Sequence, residues 1–317
     1  MAMTTWVFAE EVAGAPASTA LEILTKARGF DGDLAVVYAG AGSDEVFAAL
    51  GAHGAAMVFH IETGDALPSA GLAEAIAGLA AEHDPDLILF GQGFTDRDVA
   101  GRLSAGLDRP VLASAVDLVP GDGGVTVVSE ILGGTEIVES TFTGPKPWLG
   151  IVRPKAFAAE PGDGGEPEVV PVAIGDCGPA QITGRHAEEA EGPQLTEADV
   201  VVAGGRGIGS AEKWEMVTDL ASLLDAAVGA TRAVVDAEWT AYSLQVGQTG
   251  QTVKPNVYLA LGLSGAMQHL VGMKDSGVII AVNKDEEAPI FDIADLGVVG
   301  DVHKVVPALI EALKARG

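Results

Sequence analysis

A chain of 317 residues exceeds one ordinary domain and predicts two, each large enough to bury its own core. With 45 Asp and Glu against 18 Lys and Arg, the formal net charge is −27, which repels a phosphate backbone or an anionic membrane surface and excludes general nucleic-acid binding. The single cysteine, Cys177, excludes an intramolecular disulfide and any cysteine-based metal cluster within the chain, and it points to reducing surroundings.

The apolar residues are mainly Ala, Val and Leu, with aromatics at only 5%, the composition of a packed α/β interior. Residues 255–273 imitate a membrane span in length, but they carry Pro255, Asn256, Ser264, Gln268 and His269, so no membrane insertion is expected. The start, MAMTTWVFAEE, turns acidic at Glu10 and lacks the basic flank and apolar run of a secretion signal. A cytoplasmic location is the expectation.

In chain order, strands are predicted at Thr5–Ala9, Leu34–Tyr38, Ala56–Phe59 and Leu87–Phe90, with helices near Thr19–Ala27, Ser69–Glu82 and Asp96–Gly106. That rhythm is βαβ and predicts a mainly parallel sheet with flanking helices. After Pro110 the segments Val111–Leu118, Val125–Ile131, Glu136–Thr143 and Leu149–Val152 are strand-like with no helix between them, so an antiparallel extension is expected. Residues 158–167 read as a turn-rich loop, and 187–194 as a linker. The predicted domains are therefore 1–190 and 191–317. The second carries the smaller acidic excess and is the better host for an anion.

From Val200 the alternation resumes, and each predicted strand ends in a loop of unusual composition. Val200–Ala203 runs into GGRGIGS, residues 204–210, and then a helix expected over Ala211–Leu224. Glycines there let backbone N–H groups approach a phosphate, although the spacing is not the strict G-x-G-x-x-G fingerprint. Ala226–Ala230 delivers Thr231 and Arg232; an arginine at a strand end is more commonly a surface ion pair. QVGQTGQTVKP, residues 245–255, is poor in charge and rich in amides and hydroxyls, which suits the edge of a heteroaromatic ring or simply a tight turn. Tyr258–Leu261 leads to GLSGAMQH, residues 262–269, where Gly262, Ser264 and Gly265 are expected to expose amides at a helix N-terminus. His269 lies on or beside that turn, and a solitary histidine is more often packed than functional. Val278–Val282 ends at Asn283, and a later apolar segment ends near Gly300 and Asp301.

Ligands of open parallel sheets sit outside the carboxyl ends of the strands, and five successive ends here carry Gly, Arg, Thr, Asn or Asp. The pattern implies a phosphate-bearing, partly aromatic dinucleotide and leaves flavin and nicotinamide both open. The sequence has no G-x-x-x-x-G-K-[ST] loop and no histidine pair at metal spacing, so neither a nucleotide triphosphatase nor a metal site is expected. GLSGA falls short of G-x-S-x-G, which makes Ser264 a hydrogen-bond donor rather than a nucleophile. His53, His60, His83, His186 and His303 are scattered and read as structural.

VVAGGRG, VGATRAVVDA, QVGQTGQTVKP, the long run from Tyr258 to Asp301 and the closing HKVVPALIEAL together resemble the alpha subunit of electron transfer flavoprotein. The match spans nearly all of 195–317, whereas 1–190 resembles the family only in its α/β pattern. The resemblance implies a Rossmann-like C-terminal domain holding one FAD, and a heterodimer whose beta subunit closes over the flavin and binds AMP or a second FAD. It implies a carrier with no catalytic residues of its own. Electrons arrive from acyl-CoA dehydrogenases or related flavoenzymes and leave singly, through an anionic semiquinone, to a membrane-bound quinone oxidoreductase.

Residue by residue, the resemblance assigns FAD contacts to Arg206, to the Thr231–Arg232 pair with the guanidinium over the isoalloxazine, and to Val246, Gly247, Gln248 and Thr249, whose hydroxyl reaches N5. It places Ser264, Gly265, Ala266, Met267, Gln268 and His269 at the pyrophosphate and the flavin O2 carbonyl, and Asn283 and Asp301 at the adenosine end. Departures from the family pattern are Gln251, Lys254 and Met267, and none removes a contact. The competing expectations are a nicotinamide-dependent oxidoreductase subunit using the same cradle and a nucleotide-sensing interaction module; the absence of an obvious acid and base pair weighs against the enzyme.

Overall fold

The computed structural model describes residues 2–121, 123–184 and 192–316. The chain divides into two compact units, Met1–His186 and Ala187–Gly317. The boundary expected at residue 190, the first part of the expected linker and His186 lie outside the described residues.

The first unit is an α/β sheet protein. Its strands are β1 (Thr5–Val12), β2 (Ala15–Pro16), β3 (Leu34–Ala39), β4 (Met57–Ile61), β5 (Leu87–Phe90), β6 (Val111–Gly121), β7 (Gly124–Ile131), β8 (Glu136–Thr141), β9 (Trp148–Val152) and β10 (Glu168–Val172). Helices α1 (Ser18–Ala27), α2 (Asp44–Ala52), α3 (Ser69–His83) and α4 (Phe94–Leu107) flank it. The sheet order is β10-β4-β3-β1-β5-β9-β6-β7-β8, with β2 hairpinned onto β1.

Every pairing from β10 through β6 is parallel, while β7 and β8 add antiparallel. The antiparallel extension is thus real but smaller than the sequence implies. β9 returns from the hairpin and inserts as a parallel strand between β5 and β6. The alternating residues of β1 show why both faces are covered: Val7 and Ala9 join one apolar cluster, Trp6 and Phe8 the other.

Three elements of this unit escape the sequence reading, the two-residue β2, α2 and β10. Helix α2 is announced by Ser43, whose hydroxyl accepts from Val46 N–H at 3.3 Å, with Asp44 and Glu45 in the first turn. Strand β10 contains Pro171 and lies at the edge of the sheet, where a missing N–H is tolerated.

The second unit has β11 (Val200–Gly204), β12 (Ala227–Ala230), β13 (Val257–Leu261), β14 (Val278–Asn283) and β15 (Leu296–Val299), all parallel, in the order β12-β11-β13-β14-β15. Its helices are α5 (Glu215–Leu223), the single turns α6 (Arg232–Val235) and α7 (Met267–Leu270), and α8 (Val302–Lys314). Residues expected to begin a helix at Ala211 instead form an isolated 3₁₀ turn, Ala211–Lys213, before α5 starts at Glu215.

One further parallel rung joins Gln245 to Ala230 at the free edge of β12. If Gln245 is taken as a one-residue third strand, the spatial order becomes 3-2-1-4-5-6, that of a doubly wound dinucleotide fold. Valines 201 and 202 point to opposite faces, the first toward Tyr258 and Met273, the second toward Val217, Leu220, Val302 and Val306. Among the described residues, no helix is long and apolar enough to cross a membrane.

Candidate functional site

In the doubly wound order the direction of winding reverses between β11 and β13, the place where open α/β sheets bind their ligands. The 204–210 and 262–266 loops are locked together there. Gly205 N–H donates to the Leu261 carbonyl at 2.9 Å and Gly207 N–H to the Gly262 carbonyl at 2.8 Å. A Cβ at Gly207 would stand 2.7 Å from the Gly262 oxygen, so the close approach demands glycine. Arg206 is left exposed on the 3₁₀ turn Arg206–Ile208.

Hydrogen bonds tie the other strand ends into the same rim. Thr231 N–H donates to Gly204, and Val246 N–H to Ala230. Gln248 N–H donates to Gln268 at 2.7 Å, which lays the 245–251 loop against the 262–269 segment. Asn283 Nδ2 donates to the Leu263 carbonyl at 2.8 Å, and Gly300 N–H to the Asn283 carbonyl at 2.9 Å. All the residues expected from sequence therefore fall at or just beyond the strand ends along one edge of one sheet.

Their individual states differ. Gln248, Thr249, Ser264, Ala266, Met267, Gln268, Arg232 and Asp301 are exposed; Val246, Gly247, Gly265 and His269 are buried. Arg232 opens the single turn α6 and pairs with Asp236, Nε to Oδ2 at 3.3 Å, with both side chains largely exposed. Asn283 and Asp301 have structural duties: Asn283 holds the β13 loop and accepts from Asp285 N–H, while Asp301 caps α8 by accepting from His303 N–H at 3.0 Å.

The helix expected behind 262–265 begins after Ala266 but is short. Met267–Leu270 is one turn only, and the Gly262 N–H is spent on the Val282 carbonyl. The 245–251 loop packs directly against this segment, where a Cβ at Gly272 would stand 2.5 Å from Gly247 N.

Among the described residues, two buried polar atoms in this rim have no hydrogen-bond partner, Thr231 Oγ1 and His269 Nδ1. His269 is 6% exposed, and its Nε2 meets the hydroxyl of fully buried Tyr258 at 2.9 Å. Burial pushes the imidazole pKa down to about 4, with the neighbouring Val246 backbone opposing a little through a contact short of hydrogen-bond geometry. Burial likewise pushes the Tyr258 phenol up, so it keeps its proton. The contact is compatible with either tautomer of the neutral ring, the phenol donating to a bare Nε2 or accepting from Nε2–H. Tyr258 was hidden in the sequence as one more strand residue; the signal for it was an aromatic hydroxyl within an apolar strand, which needs a partner.

The corresponding edge of the first unit has the opposite chemistry. Glu11 there accepts from the Tyr38 hydroxyl and Gly42 N–H, chiefly the latter holding its carboxyl below the usual range. Asp96 accepts from Gly91 and Gly93 N–H groups, yet burial, reinforced by the charge of Glu10, pushes it up to about 6. An anion is disfavoured among those carboxylates. The second unit's rim, with Arg206, Arg232, backbone amides and two unpartnered buried groups, fits a phosphate-bearing ligand with a heteroatom-rich ring. FAD meets that description.

Fold and site together define an α/β protein whose second sheet follows a doubly wound order, with the candidate residues gathered at its carboxyl edge. Residues 194–274 match the family model described as the electron transfer flavoprotein FAD-binding domain, and residues 5–176 match the electron transfer flavoprotein domain. The chain is 41% identical over 315 residues to an electron transfer flavoprotein subunit alpha of Mycobacterium leprae, with 98% of each chain covered. It is 44% identical over 316 residues to one from Mycobacterium tuberculosis, again with 98% of each covered. A third, from Syntrophomonas wolfei, is 36% identical over 315 residues, covering 98% of this chain and 99% of the relative. The chain belongs to the electron transfer flavoprotein family, among its alpha subunits.

Proposed function

We propose that this chain holds FAD at the carboxyl edge of the second unit and works as the alpha half of a heterodimeric electron carrier. The observation that carries the proposal is the pair of buried, unpartnered groups, Thr231 Oγ1 and His269 Nδ1, on the strand-end loops of a sheet whose order matches a dinucleotide fold. Burying such groups without a partner costs about 1–3 kcal/mol each, and a ligand that hydrogen-bonds both recovers it.

In this reading Arg206, Ser264, Gly265, Ala266, Met267 and Gln268 meet the pyrophosphate and its surroundings. Thr231, Arg232, Val246, Gly247, Gln248, Thr249 and His269 face the flavin ring, and Asn283 and Asp301 lie toward the adenosine. The flavin supplies one-electron redox chemistry. The chain's part is to orient the ring and to set fixed donors and a guanidinium toward the N1, O2 and N5 atoms, which favours added negative charge there and so an anionic semiquinone. The beta subunit closes the site and carries AMP or a second FAD. Donors are acyl-CoA dehydrogenases or related flavoenzymes, and the acceptor is a membrane-bound quinone oxidoreductase, reached from the cytoplasm.

The chain, produced together with its beta subunit and supplied with FAD, is expected to show the visible absorption of bound flavin. Absence of that band after reconstitution, or tight NAD(H) binding with no FAD uptake, overturns the proposal in favour of a nicotinamide enzyme.

A further inference from the structure

Gln245 is a polar residue only 2% exposed, and it stands outside the residues to which flavin contacts are assigned above. It forms the single rung of the third-strand position. Its side-chain Nε2 donates to Thr249 Oγ1 at 2.9 Å. The backbone around it is clamped from both sides. Its carbonyl accepts from Gln251 N–H at 2.6 Å, the next residue's N–H donates to Ala230 at 2.9 Å, and a Cβ at Gly250 would stand only 2.2 Å from its carbonyl oxygen. The backbone that carries the amide is therefore fixed to the sheet. Thr249 is held as well, since the Tyr242 hydroxyl donates to its carbonyl.

A threonine hydroxyl has one proton and two lone pairs. With the Gln245 amide hydrogen on a lone pair, the Thr249 proton is directed away from Gln245 toward the open side of the loop. We propose that Gln245 is a positioning residue that fixes Thr249 as a hydrogen-bond donor toward the ligand. The inference rests on the FAD reading above, in which the Thr249 hydroxyl stands beside the flavin N5. In the oxidised ring N5 bears a lone pair and accepts; in the two-electron-reduced ring it bears a hydrogen and donates. A fixed donor therefore favours forms in which N5 has gained no proton. It selects addition of one electron alone over addition of an electron with a proton, and it disfavours the second step.

The test is a redox titration of the flavin-loaded heterodimer, followed by its visible spectrum, for the wild type, Gln245→Leu, Gln245→Glu, Thr249→Val and the Gln245→Leu/Thr249→Val double variant. Gln245→Leu is expected to lower the maximal fraction of half-reduced flavin as Thr249→Val does, and to lower it no further in the double variant. Gln245→Glu is expected to act more strongly, because a carboxylate only accepts, draws the Thr249 proton to itself and leaves lone pairs facing N5. A tenfold rise in the disproportionation constant corresponds to the two one-electron couples converging by about 59 mV. A Gln245→Leu titration superimposable on the wild type, or an effect that simply adds to that of Thr249→Val, overturns the inference. Loss of flavin from both Gln245 variants also overturns it, by making the residue structural. If the wild type binds no flavin, the FAD reading itself has failed.

Discussion

The Tyr258 phenol and the His269 imidazole share a hydrogen bond of 2.9 Å in the interior of the second unit, where burial keeps the histidine neutral. Burial holds the folded pKa at about 4, against 6.5 in an accessible histidine. The unfolded chain therefore takes up a proton from about pH 6.5 downward while the folded chain does not, so the stability this residue contributes is complete above pH 6.5 and is lost toward pH 4. Between pH 7 and pH 5 the loss amounts to about 2 kcal/mol. Denaturant unfolding of His269→Phe at the two pH values is expected to show a correspondingly flatter dependence than the wild type; equal slopes would mean that the ring takes up its proton at the same pH in the folded and unfolded chains.

Asp96 in the first unit acts with the opposite sign. Its folded pKa of about 6 lies above the ordinary 3.8, so the folded chain binds the extra proton, and stability from this group rises as pH falls from 6 toward 4. At pH 7 the ionised side chain carries a cost on the order of 3 kcal/mol. Glu10→Gln is expected to lower the Asp96 midpoint and to stabilise the protein at pH 7. A carboxyl ¹³C titration of Asp96 checks this, and an unmoved midpoint assigns the whole shift to burial.

Arg232 is exposed and its ion pair with Asp236 is a solvent-screened i,i+4 contact, the kind worth about 0.3–0.5 kcal/mol. Arg232→Ala should leave the melting transition nearly unchanged. If the guanidinium lies over the flavin as proposed, the first-electron potential should fall by roughly 60–130 mV, the range one charged hydrogen bond sets. A redox titration unchanged by the substitution removes the residue from the site.

Gly265 has φ +78°, and a Cβ there would stand 2.3 Å from Ile290 N, a backbone atom. Ser264 and Ile290 also share a backbone hydrogen bond of 3.0 Å at this point. Gly265→Ala is expected to destabilise the second unit by more than about 2 kcal/mol and to weaken FAD uptake, since the loop must move bodily. Calorimetry with and without FAD measures both. Retention of the wild-type transition would show that the loop shifts without cost.

Much of the fold was legible because it is written in local patterns. Apolar runs such as Leu87–Phe90 mark strands buried on both faces, and Ser69–His83 carries the helical pattern over a full fifteen residues. What stayed hidden depends on neighbours. Nothing within Trp148–Val152 says that it slots in parallel beside β5, and Pro171 argues against a strand unless the edge position is known. The same division runs through the site. The loop positions could be read from strand ends, whereas the roles of Tyr258 and Gln245 are visible only once the hydrogen bonds to His269 and Thr249 are seen. Asn283 and Asp301 show the reverse case, residues expected at a ligand that already serve the scaffold.

The third strand of the second sheet is pared down to the rung between Gln245 and Ala230. A full-length strand would bury its amides in ladder bonds along β12 and send the chain onward parallel to its neighbours. Stopping after one rung lets the backbone curl immediately into a compact loop anchored at both ends, so the Gln248 and Thr249 side chains stand exposed on a nearly rigid hook. Adding even one residue between Gln245 and Gln251 would unseat that hook from its two anchors.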